Sequence, residues 1–220
     1  MEYIRSDASR SGPMPDAPPV LTIGHSNHPW ERFVALLAGA GVTALADVRS
    51  APHSRHTPQF GRERLAAGLR AAGIAYVFLG RELGGRPADR SLLTEGVADY
   101  ERMARQPCFA RGLERVIAGA ARHRIALMCA EQDPLDCHRC LLVARRLAER
   151  GVAVGHILAD GRIETQAEAE DRLLAATRRA GEDLFASRAE RLALAYREQA
   201  RRAAFREEQS AAPGQPAAAE

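Results

Sequence analysis

The sequence contains no lysine, so arginine supplies all 31 of its basic side chains. The 28 acidic residues nearly balance them, and the formal net charge is only +3. Aromatic residues make up 5% of the chain, and no helix-turn-helix, zinc-finger or aromatic stacking motif accompanies the arginines. These absences weaken the case for a dedicated nucleic-acid binder, although arginine suits bidentate contact with phosphate.

Long apolar runs are also absent. No segment approaches the roughly 20 apolar residues that span a bilayer, so no membrane partner is predicted. The first nineteen residues lack the apolar core of a secretory signal, and we expect a cytoplasmic protein whose four cysteines stay reduced. Composition predicts that residues 1–19 form a disordered arm and residues 210–220 a disordered tail.

What the sequence has instead is a regular alternation of short apolar runs and helical patterns. The apolar runs predict strands at 20–24, 42–48, 74–80, 124–130 and 152–158. Helical periodicity predicts helices at 30–41, 62–72, 92–104, 109–122, 137–150 and 166–179. Strands that are apolar throughout and separated by helices form parallel sheets covered on both faces. The predicted fold is therefore α/β, with a single domain over 20–180 built as a three-layer α/β/α sandwich around a mostly parallel sheet of about five strands.

The C-terminal part of the chain has a different pattern. Residues 159–165 predict a turn with a short edge strand, and residues 181–209 predict one long amphipathic helix. The apolar stripe of this helix contains Phe185, Leu192, Tyr196 and Ala203. We expect the helix to pack on the domain or to join two copies of the chain in a homo-oligomer.

Polar side chains follow the predicted strands and include ten candidate site residues. They are His25 and Ser26 after the first strand, Asp47, Arg49, Ser54 and Arg55 around the end of the second, and Glu131, Cys137, His138 and Arg139 after the fourth. Parallel strands end at the same edge of a sheet, where ligands bind in open α/β folds. Each residue also has a structural interpretation; Asp136, for example, is placed to cap the helix predicted at 137. Together they predict one cleft.

Five short motifs resemble those of a known family. They are TIGHS at 22–26, DVRSAPHSR at 47–55 with Phe60, YVFLGRELGG at 76–85, CAE at 129–131 and CHR at 137–139. In this order they resemble the Domain of Unknown Function 488 family, from Val20 to Gly161. The resemblance implies an α/β fold and a site at the matching polar positions. As the family's name says, it brings no established activity with it.

Acid–base chemistry is the interpretation that uses most of these residues. Asp47 and Glu131 end or follow two strands, so they are placed to flank a substrate as acid, base or nucleophile. His25 or His138 would then carry protons. No cofactor is required by this chemistry.

An anion site accompanies this interpretation. Arg49 and Arg139, together with the unpaired amides of a helix start, would hold a phosphate group. Ser26, Ser54 and Arg55 would add polar contacts. The predicted ligand is a small phosphorylated or nucleotide-like molecule, with nucleic acid as a further partner.

Two other chemistries use the cysteines. Cys137 at a helix start beside His138 and Arg139 would have a lowered pKa, which is typical of a nucleophilic thiolate. Cys129, Cys137 and Cys140 also form a C-x7-C-x2-C pattern that could bind a metal with a histidine. This pattern is weak, because Cys129 ends a buried strand and Cys140 shares the core face of a helix. No metal ligands are therefore assigned.

The sequence thus favours an enzyme, of undetermined reaction class, that acts on a phosphate-bearing or nucleotide-like substrate. The alternative is a nucleotide or nucleic-acid binding module without catalysis. Asp47 and Glu131 argue against simple binding, because carboxylates repel a phosphate backbone.

Overall fold

The structure is a computed structural model that describes residues 18–53, 56–181 and 185–207. The strands are β1 Val20–Gly24, β2 Ala44–Asp47, β3 Ala75–Phe78, β4 Leu93–Thr94, β5 Val97–Ala98, β6 Ile125–Cys129, β7 Val154–Ile157 and β8 Ile163–Thr165. The α-helices are α1 Trp30–Gly39, α2 Arg62–Ala71, α3 Gly80–Leu83, α4 Tyr100–Ala104, α5 Pro107–Ala120, α6 Arg145–Ala148, α7 Gln166–Ala176 and α8 Arg188–Ala203. The arm predicted at 1–19 falls almost wholly outside the described residues, as does the tail predicted at 210–220.

Six strands form one sheet in the order β3-β2-β6-β1-β7-β8. The first five in this order run parallel, and β8 pairs antiparallel with β7 at one edge. All five predicted strands are present, and β8 is the short edge strand expected after the fifth. The predicted fold class, an α/β sandwich with a mostly parallel sheet and a C-terminal helix, is confirmed.

Each face of the sheet has its own apolar core, because neighbouring strand residues point to opposite faces. Leu21 of β1 shares one core with Phe33 of α1 and with residues of α2. Val20, the residue before it, belongs to the other core with Leu113 of α5 and Leu173 of α7. Since both faces are covered, polar groups of the strands reach solvent only beyond the strand ends.

The helix predicted at 92–104 is wrong in its first half. Residues 93–98 form the β4–β5 hairpin, and α4 covers only Tyr100–Ala104. Glu95 and Gly96 both have positive φ, 53° and 75°, which is the backbone of a two-residue hairpin turn. Asp99 then caps α4 by accepting hydrogen bonds from two backbone N–H groups.

The helix predicted at 137–150 is also not one regular helix. A 3-10 turn covers Pro134–Asp136, a π-helix covers Arg139–Ala144, and α6 covers Arg145–Ala148. All six residues of the π-helix are buried. Wide turns of this kind are rare and occur mostly as short insertions near functional sites.

The C-terminal helix α8 is shorter than the predicted 181–209. Ser187 caps its first turn, and Tyr196 is buried against the body of the same chain. Phe185 precedes the helix and is 95% exposed, so the predicted stripe does not extend to it. The predicted homo-oligomer stays a prediction. In the described part of the chain no helix is both long and apolar enough to cross a membrane.

A buried histidine joins the sheet to both C-terminal helices. His156 of β7 is inaccessible to solvent, and its Nδ1 lies 2.9 Å from Thr22 Oγ1 of β1. Its Nε2 lies 3.1 Å from Gln166 Oε1, and the Gln166 amide donates to the Tyr196 hydroxyl at 2.7 Å. Burial is the largest cause that lowers the pKa of His156, to about 4.

Acidification should therefore destabilise the fold through His156. Because its pKa is lower in the folded chain, the unfolded chain binds the extra proton, and stability falls as pH drops from about 6.5 toward 4. Between pH 7 and pH 5 we expect this residue to lower the free energy of unfolding by about 2 kcal/mol. Urea unfolding at both pH values measures the loss. His156→Gln should lose about 2 kcal/mol less than the wild type, and an equal loss in both proteins would contradict this.

Candidate active site

A cleft of about 260 Å³ opens at the carboxyl ends of the neighbouring strands β1, β2 and β6. Half of the ten predicted site residues line it, namely His25, Arg49, Glu131, Cys137 and His138. They come from three separate segments that are distant in sequence. The order of the strands brings them together, because β6 lies between β1 and β2 in the sheet.

Four titratable side chains meet on one wall of this cleft, and we refer to Cys129, Glu131, Cys137 and His138 as the cysteine cluster. The Cys137 thiol donates to Glu131 Oε2 at 2.9 Å. His138 Nδ1 lies 3.6 Å from Cys129 Sγ and 3.8 Å from Cys137 Sγ. The two cysteines and His138 are buried, while Glu131 is exposed at the open side of the cluster. A ligand in the cleft would therefore meet Glu131 first.

The surroundings shift the pKa values of Cys137 and Glu131 in opposite directions. Burial alone would raise the pKa of Cys137, but the Cys129 hydrogen bond and the charges of Arg139 and His138 hold it well below its usual value. Desolvation and the neighbouring Cys137 sulfur raise the pKa of Glu131. Burial also raises the pKa of Cys129 well above its usual value. Both shifts act on groups that share one hydrogen bond, from the Cys137 thiol to Glu131 Oε2.

The turn before Cys137 is built by Asp133 and Pro134. The Asp133 carboxylate accepts the backbone N–H of Leu135 at 2.8 Å and caps the 3-10 turn that Pro134 begins. Asp136, predicted as the cap, is not used in this way; its carboxylate accepts from Gln199 of α8 at 3.3 Å. The cap is Asp133 rather than Asp136 because the turn starts three residues earlier than the predicted helix.

Arg139 is fully buried and does not line the cleft. Its guanidinium donates to the carbonyl oxygens of Glu131, at 2.5 Å, and of Gln132, at 2.8 Å. Its backbone N–H points at Cys137 Sγ, 3.4 Å away. The prediction that Arg139 holds an anion is therefore not supported: its side chain binds backbone carbonyls of the loop that carries the cysteine cluster.

Asp47 is likewise buried, and it does not face the cleft. Its carboxylate accepts from the Arg49 guanidinium through Nε at 2.9 Å and Nη2 at 2.7 Å, and from the Tyr76 hydroxyl at 3.0 Å. Arg49 Nη2 also donates to the carbonyl of Phe60 at 2.9 Å. Because its oxygens are occupied by donors, Asp47 is placed to orient Arg49 rather than to reach a substrate.

His25 continues this network into the cleft. Its Nδ1 lies 2.8 Å from the carbonyl oxygen of Ser26, which can only accept, so Nδ1 carries the proton. Nε2 is then the acceptor for Arg49 Nη1 at 3.2 Å. Burial is the largest cause that lowers the pKa of His25, to about 4, and its ring stacks on Phe60. A neutral histidine of this kind orients a neighbour more readily than it carries protons at neutral pH.

Ser26 is described but does not line the cleft. Ser26 has a positive φ of 44°, and its hydroxyl donates to Asn27 beside it. Ser54 and Arg55 lie outside the described residues, so their predicted contacts stay predictions.

Several cleft residues were missing from the predicted set, among them Ser50, His53, Arg86, Tyr100 and Phe205. Arg86 directly follows the Gly84-Gly85 pair, and this pair is the sequence feature that could have indicated a loop at the cleft. A Cβ at Gly85 would lie 2.6 Å from the His138 ring, so glycine lets the β3 loop close over the cluster. No local pattern marks Tyr100 or Phe205, which reach the cleft from distant parts of the chain.

Fold and site together define an α/β sandwich protein with a polar, cysteine-containing cleft at the carboxyl edge of a parallel sheet. The chain belongs to the family described as domain of unknown function DUF488, whose model matches residues 29–146. This confirms the resemblance carried by the five motifs. The matched range contains the whole cysteine cluster and Arg49, but neither His25 nor Phe205. No curated protein and no solved structure matches the chain significantly.

Removing the Arg139 guanidinium should destabilise the protein. In Arg139→Met the apolar bulk is largely kept, while two loop carbonyls lose their donors, so we expect the free energy of unfolding to fall by about 2–4 kcal/mol. Urea denaturation measures the change. Arg122→Met, at an exposed position near the end of α5, is the control and should change stability by less than about 0.5 kcal/mol. Equal stability of the two variants would contradict the role of Arg139.

Proposed function

We propose that this protein is an enzyme that acts on a phosphate-bearing or nucleotide-like substrate in the cleft at the carboxyl ends of β1, β2 and β6. The observation that carries the proposal is the contact between Cys137 Sγ and Glu131 Oε2, 2.9 Å long, at the open wall of a cleft that also contains Arg49 and Arg86. Proton-transfer groups and cationic groups thus face the same small volume, which is the arrangement that reactions of anionic substrates need.

Glu131 is the residue proposed to move protons. It is the exposed member of the cysteine cluster, and its carboxylate contacts Cys137 on one side and the open cleft on the other. A carboxylate that is accessible to ligand and hydrogen-bonded to a second acid can accept a proton from a substrate or from water. Asp47, which the sequence analysis paired with Glu131, has the supporting role of holding Arg49.

Arg49 is proposed to contact the anionic group of the substrate. Its guanidinium has five N–H donors, and its contacts within the described residues use four of them: two to Asp47, one to Phe60 and one to His25. The remaining N–H belongs to Nη1, on the edge of the guanidinium that contacts His25. Since the ion pair with Asp47 fixes the guanidinium, this donor is already oriented before a ligand binds.

Arg86 is proposed as the second anion contact. Its side chain is exposed at the rim of the cleft and lies over the Phe205 ring, 5.4 Å from the ring centre. Its backbone N–H donates to Ser50 Oγ at 2.9 Å, which holds the β3 loop against the β2 loop. An arginine positioned by a ring and a backbone contact offers a planar donor face to phosphate.

Glu131→Gln should abolish most turnover and leave substrate binding in place. The amide keeps the shape of the side chain but cannot accept the proton, so we expect kcat to fall by about 100- to 10,000-fold with little change in KM. A screen of the wild-type protein comes first. The protein is incubated with nucleoside mono-, di- and triphosphates and with short DNA and RNA oligonucleotides, and the products are separated by chromatography.

Arg86→Ala should weaken binding of the same compounds, by about 10-fold, because a charged donor at the rim is lost. Arg81→Ala removes an equally exposed arginine of α3 that does not line the cleft, and it should bind like the wild type. Binding is measured by titration calorimetry on the nucleotide that the wild type binds best. Equal affinities in the two variants would remove Arg86 from the site.

The same experiments separate catalysis from simple binding. Nucleotide or oligonucleotide binding that depends on Arg86, without any product from the wild type, would favour the non-catalytic binding module over the enzyme. Absence of both binding and turnover across the panel would overturn the assignment of a phosphate-bearing ligand.

A further inference from the structure

The cysteine cluster is a set of metal-ligand atoms as well as a set of acids. One atom from each of Cys129, Glu131, Cys137 and His138 can be chosen so that all four lie within 4.8 Å of one another. We propose that these four residues bind one zinc ion at the wall of the cleft. Two thiolates, an imidazole nitrogen and a carboxylate are the ligand types that zinc takes in proteins.

The distances from His138 to the two sulfurs fit a tetrahedral ion. Zinc–sulfur bonds of about 2.3 Å and zinc–nitrogen bonds of about 2.0 Å place a sulfur and a nitrogen ligand about 3.5 Å apart. The observed separations of His138 Nδ1 from the two sulfurs, 3.6 and 3.8 Å, are close to this value. The 2.9 Å contact of Cys137 with Glu131 is shorter than a tetrahedral edge, and the exposed Glu131 side chain can move outward to lengthen it.

His138 is held in the orientation that a metal ligand needs. Its Nε2 lies 2.9 Å from the carbonyl oxygen of Val48 and must donate to it, so Nδ1 is the nitrogen that faces the two sulfurs and would bind an ion in its deprotonated form. Metal-bound histidines in proteins usually donate their other N–H in this way. The close packing of Gly85 against the ring keeps the imidazole in place.

Charge at the site also suits an ion. Two thiolates and one carboxylate around Zn²⁺ leave a net charge of −1, and the buried Arg139 guanidinium beside the loop supplies a compensating positive charge. The Arg139 backbone N–H, 3.4 Å from Cys137 Sγ, is a donor to the sulfur that the zinc ion would not displace. Binding releases two thiol protons to solvent, so that Zn²⁺ and two S–H groups become a zinc dithiolate and two H⁺.

This ligand set differs from the C-x7-C-x2-C pattern in the sequence. Cys140 is buried in the core, 3.8 Å from His156 Nε2, and does not join the cluster. Glu131 and His138 take its place. The cluster opens on the cleft, so an ion can reach it without unfolding, and the carboxylate on the open side can exchange for water or substrate. The inference rests on the proposed function only in placing the ion in a reaction cleft.

Metal binding is tested directly, without an activity assay. The full chain is purified without chelator, its zinc is counted by elemental analysis, and the metal-free protein is titrated with Zn²⁺ against a chromophoric chelator. We expect one zinc per chain with a dissociation constant of about 50 nM or tighter. Co²⁺ in place of zinc should give the visible bands of tetrahedral cobalt and near-ultraviolet thiolate-to-cobalt charge transfer.

Matched serine variants identify the ligands. Cys129→Ser and Cys137→Ser should each weaken zinc binding by about 100-fold or more and remove part of the charge-transfer absorbance. Cys108→Ser, at a partly exposed position in α5 outside the cluster, should bind zinc like the wild type. Circular dichroism of the metal-free variants checks that they are folded, and the cobalt spectrum of the wild type needs no variant at all.

Two results would overturn the proposal: a wild-type protein that takes up neither zinc nor cobalt at micromolar concentrations, or zinc affinity that is the same in Cys129→Ser, Cys137→Ser and Cys108→Ser. Either result would leave the proposed enzyme standing with a metal-free cysteine cluster. Conversely, stoichiometric zinc in a protein that binds no phosphate compound would support the metal site and refute the proposed substrate.

Discussion

The carboxylate of Asp47 and the guanidinium of Arg49 lie together inside the protein, and the cost of removing both charges from water determines the layout around them. Tyr76, Phe60 and His25 form further hydrogen bonds with the pair, and these offset part of that cost. Those partners come from the residue after β1, from β3 and from the 3-10 turn before α2, so the hydrogen bonds of one ion pair join elements that surround the cleft. A pocket side chain, Arg49, thereby has a fixed orientation before any ligand arrives.

A second buried arginine, Arg139, holds the loop after β6 through hydrogen bonds to backbone carbonyl groups, as Arg49 holds the carbonyl of Phe60. The Arg139 guanidinium donates to the carbonyl oxygens of Glu131 and Gln132. These two hydrogen bonds fix the path of the chain from Glu131 to the π-helix. Both arginines follow strand ends, and both look alike in sequence, yet only Arg49 lines the cleft. The distinction matters for the proposed function, because Arg49 faces the cleft while Arg139 holds the loop that carries the cysteine cluster.

The proposed chemistry and the proposed metal ion share one physical basis. Cys129, Cys137 and His138 are titratable groups that lie close together, and all three are buried from water. Such a cluster lowers its free energy by passing a proton to Glu131, by binding an anion near its cations, or by replacing protons with a metal ion. Its position at the open edge of a parallel sheet makes each of these states accessible from the cleft.

The strands were predictable because a parallel strand is buried on both faces and reads as an unbroken apolar run, as VLTIG and the segment ending at Cys129 do. The same reasoning placed the polar residues at the carboxyl edge of the sheet, where His25, Arg49, Glu131, Cys137 and His138 line one cleft. The hairpin at 93–98 was missed because each of its strands has two residues, which is too short for an alternating pattern to show. Sequence could not tell which charged side chains turn inward, because Asp47 and Arg139 find their partners only after distant segments have packed. Composition and periodicity thus determined the layers and the edge of the sheet where the cleft lies. Tertiary structure alone decided the hydrogen bonds that bring three segments of chain together around that cleft.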